Sequence, residues 1–225
     1  MKPQIIHTLV IGIIFLLLFI STEILHRLLR VKAEYTRKFV HLCTGIIVLF
    51  FPKYIQSHWL VLLLSSSFLL LLYLSSKYQF LPSINKVERK TFGSVLYPVM
   101  VYVSFIAYTY YQREVIYYIP LLILAICDPV ACLIGSHTSK GKFTIFGKQK
   151  TFLASVIFAV LASVIVLFVL FVFDFQVSYP ILAVCSISIV TTIAEAITHK
   201  GFDNLTIPVT AIFMLALNIE LAYVL

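Results

Sequence analysis

Asp128 stands in the run AICDPVACLIG, seven residues before Gly135, where the apolar character ends. Glu195 stands five residues before Lys200, and His41 follows Arg37 by four in RKFVH. At about 1.5 Å per helical residue, Asp128 lies roughly 10 Å, Glu195 roughly 8 Å and His41 roughly 6 Å inside one edge of a membrane-sized helix. An ionised group at mid-bilayer costs about 2.5–3.5 kcal/mol on insertion scales, so such groups face a protein interior and usually serve a function. Singly, each has a bland explanation: a satisfied core histidine, an interhelical salt bridge for Glu195, a proline kink beside Asp128. Chance would scatter them over both leaflets, so their shared depth points to one site. The residue before a proline is pushed away from helical geometry. A helix break at Asp128-Pro129 is therefore expected, of the kind that marks binding sites in membranes.

Cations stand close by in sequence. Gly135, Gly141 and Gly147 share one loop with Lys140, Lys142, Lys148 and Lys150. Glycines let backbone N–H groups approach an anion, and lysines neutralise it, so a polyphosphate is the natural guest. The loop is not a P-loop: five residues separate Gly141 from Gly147, and Gln149 follows Lys148. Arg89 and Lys90 precede Gly93, and Arg37 and Lys38 precede His41. In GFDNLTIP, Asp203 or Asn204 reads as a helix N-cap, and a helix start also presents free N–H groups to phosphate. Asp128, Glu195 and Asp203 are oxygen donors of the kind Mg²⁺ prefers and shares with substrate phosphates. Such an assembly suits phosphoryl transfer, which needs mainly positioning and charge stabilisation.

Membrane helices must position these groups. The chain has 225 residues, 61% hydrophobic, with mean hydropathy +1.05. That exceeds the roughly 45–50% apolar content of soluble domains. Apolar runs near 5–24, 38–52, 59–76, 92–111, 115–135, 152–173, 178–198 and 205–224 predict an all-α polytopic bundle of about eight spans, the second run being the shortest. All Lys and Arg except Lys2, Lys53 and Arg113 fall in alternate connecting segments. By the positive-inside rule those segments are cytoplasmic and both termini lie outside. This alternation accounts for the net charge of +8 without nucleic acid. The first run reads as an anchor rather than a cleaved signal, its positive charge following the apolar stretch. The whole chain, 1–225, reads as one transmembrane domain: anchor and basic loop to 36, a core over 37–210, and the end of the last span over 211–225. Cys43, Cys127, Cys132 and Cys185 fall in spans without a C-x-x-C pair and are expected as buried thiols.

In this order, RKFVHLCTG (37–45), ERKTFGSVLYP (88–98), DPVACLIG (128–135), GKQKTF (147–152) and Glu195 followed by DNLTIP (203–208) form a recognisable set. The chain resembles the CTP-dependent lipid-alcohol kinases, the family of dolichol kinase, phytol kinase and the yeast-type diacylglycerol kinase. These are similar in turn to CTP-using phosphatidate cytidylyltransferases. The resemblance spans roughly residues 37–210. It implies CTP as co-substrate, Mg²⁺ or another divalent cation, and a membrane-embedded alcohol as acceptor. By motif it implies a catalytic or metal centre of Asp128, Glu195, Asp203 and Asn204, with Arg37, Lys38 and His41 beside it and Lys148 and Lys150 binding nucleotide. The chain departs from the family pattern in three places, at four residues: Cys127 stands for glycine, Ser136 for arginine, and Leu153-Ala154 for a Glu-Gly pair.

The expected activity is transfer of the γ-phosphate of CTP to a lipid hydroxyl, on a prenol such as phytol, farnesol, undecaprenol or dolichol, or on diacylglycerol. Its expected seat is the cytoplasmic side of a prokaryotic plasma membrane. His41, Asp128 and Asp203 are all candidates for the general base. Cytidylyl transfer to a phosphorylated lipid is the nearest rival. An ion-coupled transporter would use Asp128 and Glu195 without nucleotide turnover and would show repeat symmetry, which the sequence lacks. An inactive scaffold is the reading that the missing Glu-Gly pair favours.

Overall fold

Backbone polar groups in hydrocarbon need partners within their own segment, which makes each long apolar run a helix. The computed structural model describes residues 2–86, 91–146, 148–175 and 179–224. Its helices are α1 (Lys2–Leu28), α2 (Ala33–Val48), α3 (Phe51–Tyr54), α4 (His58–Tyr78), α5 (Pro82–Asn85), α6 (Gly93–Tyr111), α7 (Val115–Leu122), α8 (Asp128–His137), α9 (Phe152–Val172), α10 (Pro180–Ile197) and α11 (Asp203–Val224). The protein is a polytopic membrane helix bundle. Among the described residues, six stretches are long and apolar enough to cross a bilayer: Pro3–Leu28, His58–Tyr78, Gly93–Tyr111, Val115–His137, Phe152–Val172 and Pro180–Ile197. The two other expected runs also form helices, α2 and α11. At 16 residues, α2 is about 24 Å long, short of the roughly 30 Å hydrocarbon thickness. The last expected run forms α11, 22 residues long.

The helix through Asp128 does not break. Asp128 keeps helical angles, φ −63° and ψ −50°. Instead Ile123–Cys127 takes a π-helical turn between α7 and α8. One extra residue per turn absorbs the misfit that Pro129 imposes, so the rod runs on from Val115 to His137. This rod is the centre of the core. Ile116, Tyr117, Ile119, Leu121, Ile123 and Leu124 are fully buried, packed among α2, α6, α9 and α11. Tyr117 donates its hydroxyl to the Val48 carbonyl at 2.7 Å, which satisfies a polar group at the end of α2.

The lysine-rich loop is not open coil. It folds into an antiparallel hairpin of β1 (Lys142–Ile145) and β2 (Lys148–Thr151), in register from Lys142 opposite Thr151 to Ile145 opposite Lys148. Thr151 then starts α9 by accepting the Ala154 N–H at 3.4 Å. Of the four cysteines only Cys127 is buried; Cys43 is half-buried, Cys132 and Cys185 are exposed, and all are free thiols. The expectation of four buried thiols therefore holds for one. Exposed Val160, Val164, Leu167, Phe168 and Phe171 give α9 an apolar outer face of the kind lipid tails cover.

Two glycines set how closely helices approach. Gly201 has φ +86°, and a Cβ there would overlap Thr91 Oγ1 and the Gly93 backbone. The Phe92 N–H donates to the Lys200 carbonyl at 2.9 Å, so the starts of α6 and α11 are joined here. Gly45 lets α2 rest on Ala125 of the π turn. Replacing Gly201 by Val combines a disfavoured φ with steric overlap and should destabilise the bundle by about 2 kcal/mol or more. Gly12→Ala, whose Cβ would meet Leu64 at an ordinary 3.5 Å, should be neutral. Thermal unfolding of both variants in detergent checks the contrast.

Candidate active site

A cavity of about 1190 Å³ opens between the helices. Its wall includes Asp128, Glu195, Asp203 and Asn204 together with Arg37, Lys38, His41, Lys142 and Lys150. These residues come from α2, the π-bulged rod, the hairpin, α10 and the start of α11. The shared depth inferred from sequence is thus matched by a shared space. Lys140 is exposed and does not line the cavity. Arg89 and Lys90 lie outside the described residues, as do Gly147 and the Lys148 side chain.

Each polar group has an identifiable environment. Lys150 forms an ion pair with Glu195, and both side chains are nearly buried, at 11% and 6% exposed. Burying either charge alone would be costly, and pairing is what makes both tolerable. Lys38 is also buried, its Nζ without a hydrogen bond among the described residues and 3.6 Å from Glu34 one turn earlier. A buried ammonium held only by an ion pair keeps unused donors for an anionic guest. Asn204 donates its amide to the Gly93 carbonyl at 2.7 Å, tying α11 to α6. Asp203 opens α11 and accepts the Asn204 N–H at 3.1 Å.

His41 owes its place to the π turn. In π geometry the Leu124 carbonyl would bond the N–H of residue 129, and Pro129 has none. His41 Nε2 donates to that carbonyl instead, at 2.9 Å. The ring also packs edge-on against Tyr97, with centroids 4.7 Å apart. His41 therefore braces the bulge one turn ahead of Asp128. With Nε2 as donor, Nδ1 is left as an acceptor.

A divalent ion was expected on Asp128, Glu195 and Asp203. Among the described residues no three His, Cys, Asp or Glu side chains group closely enough to hold a metal by themselves. Glu195 is neutralised by Lys150. Mg²⁺, however, usually takes one or two carboxylates and completes its shell with water and substrate phosphates. The donor set fits an ion shared with a polyphosphate, not a resident structural ion.

The cavity wall also holds residues that the motif reading did not select: Lys32, Lys86, His199, Lys200, Gln149 and Tyr97. Lys32, Lys86 and Lys200 sat in the basic segments read as topology signals, and a count of charges cannot say which of them turn inward. Of the two residues at the Glu-Gly departure, Leu153 is 47% exposed and off the cavity, whereas Ala154 is buried and lines it.

Two experiments follow from these contacts. Lys150→Met should cost about 3–5 kcal/mol by leaving Glu195 buried and unpaired. Adding Glu195→Leu should recover most of that loss, as a double-mutant cycle of unfolding in detergent would measure. His41→Phe removes the donor to Leu124 and should cost about 1–3 kcal/mol. His41→Gln, which keeps an N–H in reach, should lose less in the same assay.

No family model matches the chain, and no solved structure matches it. Over 190 residues the chain is 27% identical to a phytol kinase of Synechocystis sp., covering 84% of this chain and 81% of that protein.

Proposed function

We propose that this protein is a membrane-embedded kinase that transfers the γ-phosphate of CTP to the hydroxyl of a lipid alcohol. The likeness to a phytol kinase along most of both chains supports lipid-alcohol kinase chemistry at the level of a family. CTP as donor and the identity of the alcohol go beyond that likeness. The observation that carries the reading is one cavity, inside a membrane bundle, that gathers carboxylates with lysines and arginine from four separate connecting segments. Such a cavity offers a triphosphate its counter-charge while a lipid hydroxyl reaches it from the bilayer.

In the proposed reaction the alcohol oxygen attacks the γ-phosphorus. The bond from that phosphorus to the β,γ-bridging oxygen breaks, and CDP leaves with the electron pair. Asp128 takes the hydroxyl proton; it stands one turn nearer the rim than the carbonyl that His41 braces. Arg37, Lys38 and Lys142 hold the phosphates and spread their charge, the main contribution proteins make to this chemistry. Asp203 would hold Mg²⁺ or a similar cation together with the substrate phosphates, and the ion would supply charge neutralisation there. The Lys150–Glu195 pair fixes the hairpin against α10, so that the hairpin lysines lie over the phosphate site. The reading places the active side at the cytoplasmic face of a prokaryotic plasma membrane, where CTP is dissolved.

The test uses purified full-length protein, γ-labelled CTP, Mg²⁺ and a panel of prenols and diacylglycerol. Labelled lipid monophosphate with release of CDP is expected. Pyrophosphate with a CDP-linked lipid would instead mean cytidylyl transfer, and absence of nucleotide turnover would reject both. Asp128→Asn should lower kcat by about a hundredfold or more while the bundle stays folded. Lys142→Ala should raise KM for CTP more than KM for the alcohol.

A further inference from the structure

The cavity continues past its charged wall into the bundle, along an arm that phosphate chemistry does not use. Arg37, His41, Thr44 and Val48 line it in one stripe of α2, and Phe51 follows at the far end. From Arg37 to Val48 is about 16 Å along the helix. Over that distance the opposing wall changes from cations to Phe15, Phe19, Leu64, Phe68 and Val101. These are mostly interior side chains: Phe15 is 5%, Val101 3% and Phe51 2% exposed. Protein interiors pack like organic crystals, and even a lost methyl group is felt as instability. Thr44 and Ser65 are the polar residues set among these apolar side chains, and a space so largely apolar inside a bundle suits a hydrocarbon occupant better than a column of water, which needs several polar partners per molecule.

We infer that this arm holds the hydrocarbon tail of the acceptor alcohol, and that Val48 and Phe51 form the floor that limits its length. The inference rests on the lipid-kinase reading and adds a substrate class to it: a single-chain alcohol of farnesol or phytol size. The arm joins the charged wall directly, so a tail lying in it brings its hydroxyl to Asp128. Undecaprenol and dolichol tails are several times longer than the arm. The floor is held in place from both sides. Phe51 packs edge-to-face on Phe15 with centroids 6.4 Å apart, and the Val48 carbonyl is fixed by Tyr117. On this view α1 is a wall of the binding site as well as an anchor.

The test compares kcat/KM for farnesol, phytol and undecaprenol in the full-length protein and two variants. The wild type should favour farnesol and phytol over undecaprenol. Val48→Phe, which raises the floor, should lower the phytol-to-farnesol ratio by about tenfold, the scale on which apolar pockets discriminate chain length. Phe51→Ala, which lowers it, should raise the undecaprenol-to-phytol ratio. In parallel, a phytyl ether lacking the hydroxyl and carrying a diazirine at its tail is photolysed with the wild-type protein, and the labelled peptides are mapped. Label on α1, α2 and α4 around Phe15, Val48 and Leu64 supports the arm, even if no alcohol is phosphorylated, in which case only the kinase reading falls. Label confined to the outer face of α9, or an unchanged length profile in variants that still phosphorylate alcohols, overturns it.

Discussion

A charge inside a membrane bundle must find a counter-charge or a polar space within the protein, because lipid supplies neither. The polar half of this structure is organised by that demand. Glu195 and Lys150 meet it by pairing across the gap between α10 and the hairpin. Lys38 meets it in part through Glu34, and in part by facing a cavity rather than acyl chains. The cavity is therefore no packing fault. It is the space these charged side chains face, and an anionic guest with many oxygens would complete their coordination.

The second constraint is backbone satisfaction around Pro129. A proline in a membrane helix removes one donor, and the freed carbonyl must be answered by another group. Here the helix takes a π turn at Ile123–Cys127, and His41 from α2 answers the Leu124 carbonyl. The same turn receives Gly45, which allows α2 to approach Ala125. Local backbone chemistry, helix packing and the orientation of Asp128 are thus one arrangement. His41 thus braces the turn that leads to Asp128, and its Nδ1 is left as an acceptor.

The likeness to a phytol kinase runs along most of both chains, yet the local motifs depart from the resembled family at particular places. The structure gives those departures unequal weight. Leu153 looks away from the cavity, so a carboxylate missing there is not missing from the wall as this chain builds it. Ala154 does line the wall and touches the space beside Gly135, whose added Cβ would meet it at 3.5 Å. Small residues are thus kept where the hairpin, α8 and α9 crowd together, and the charge is carried by Lys150 and Glu195.

Much of this was legible in the sequence because a bilayer simplifies the reading. Apolar runs became helices at nearly the expected bounds, and His41, Asp128 and Glu195, read as lying at a common depth, line one cavity. Those are one-dimensional properties: hydropathy, helical rise and distance from a charged edge. Pairing is not one-dimensional. Nothing in the sequence distinguished Glu195 as the partner of Lys150 from Glu195 as a metal ligand, or Asn204 as a catalytic amide from Asn204 as the clasp on Gly93. Nor could it tell a break at Asp128 from a π turn, since Pro129 demands relief but does not say which helix will supply the missing donor. The lysine loop became a hairpin and the short second run a cavity wall for the same reason. Contacts between residues distant in the chain choose among arrangements that local chemistry leaves equally acceptable.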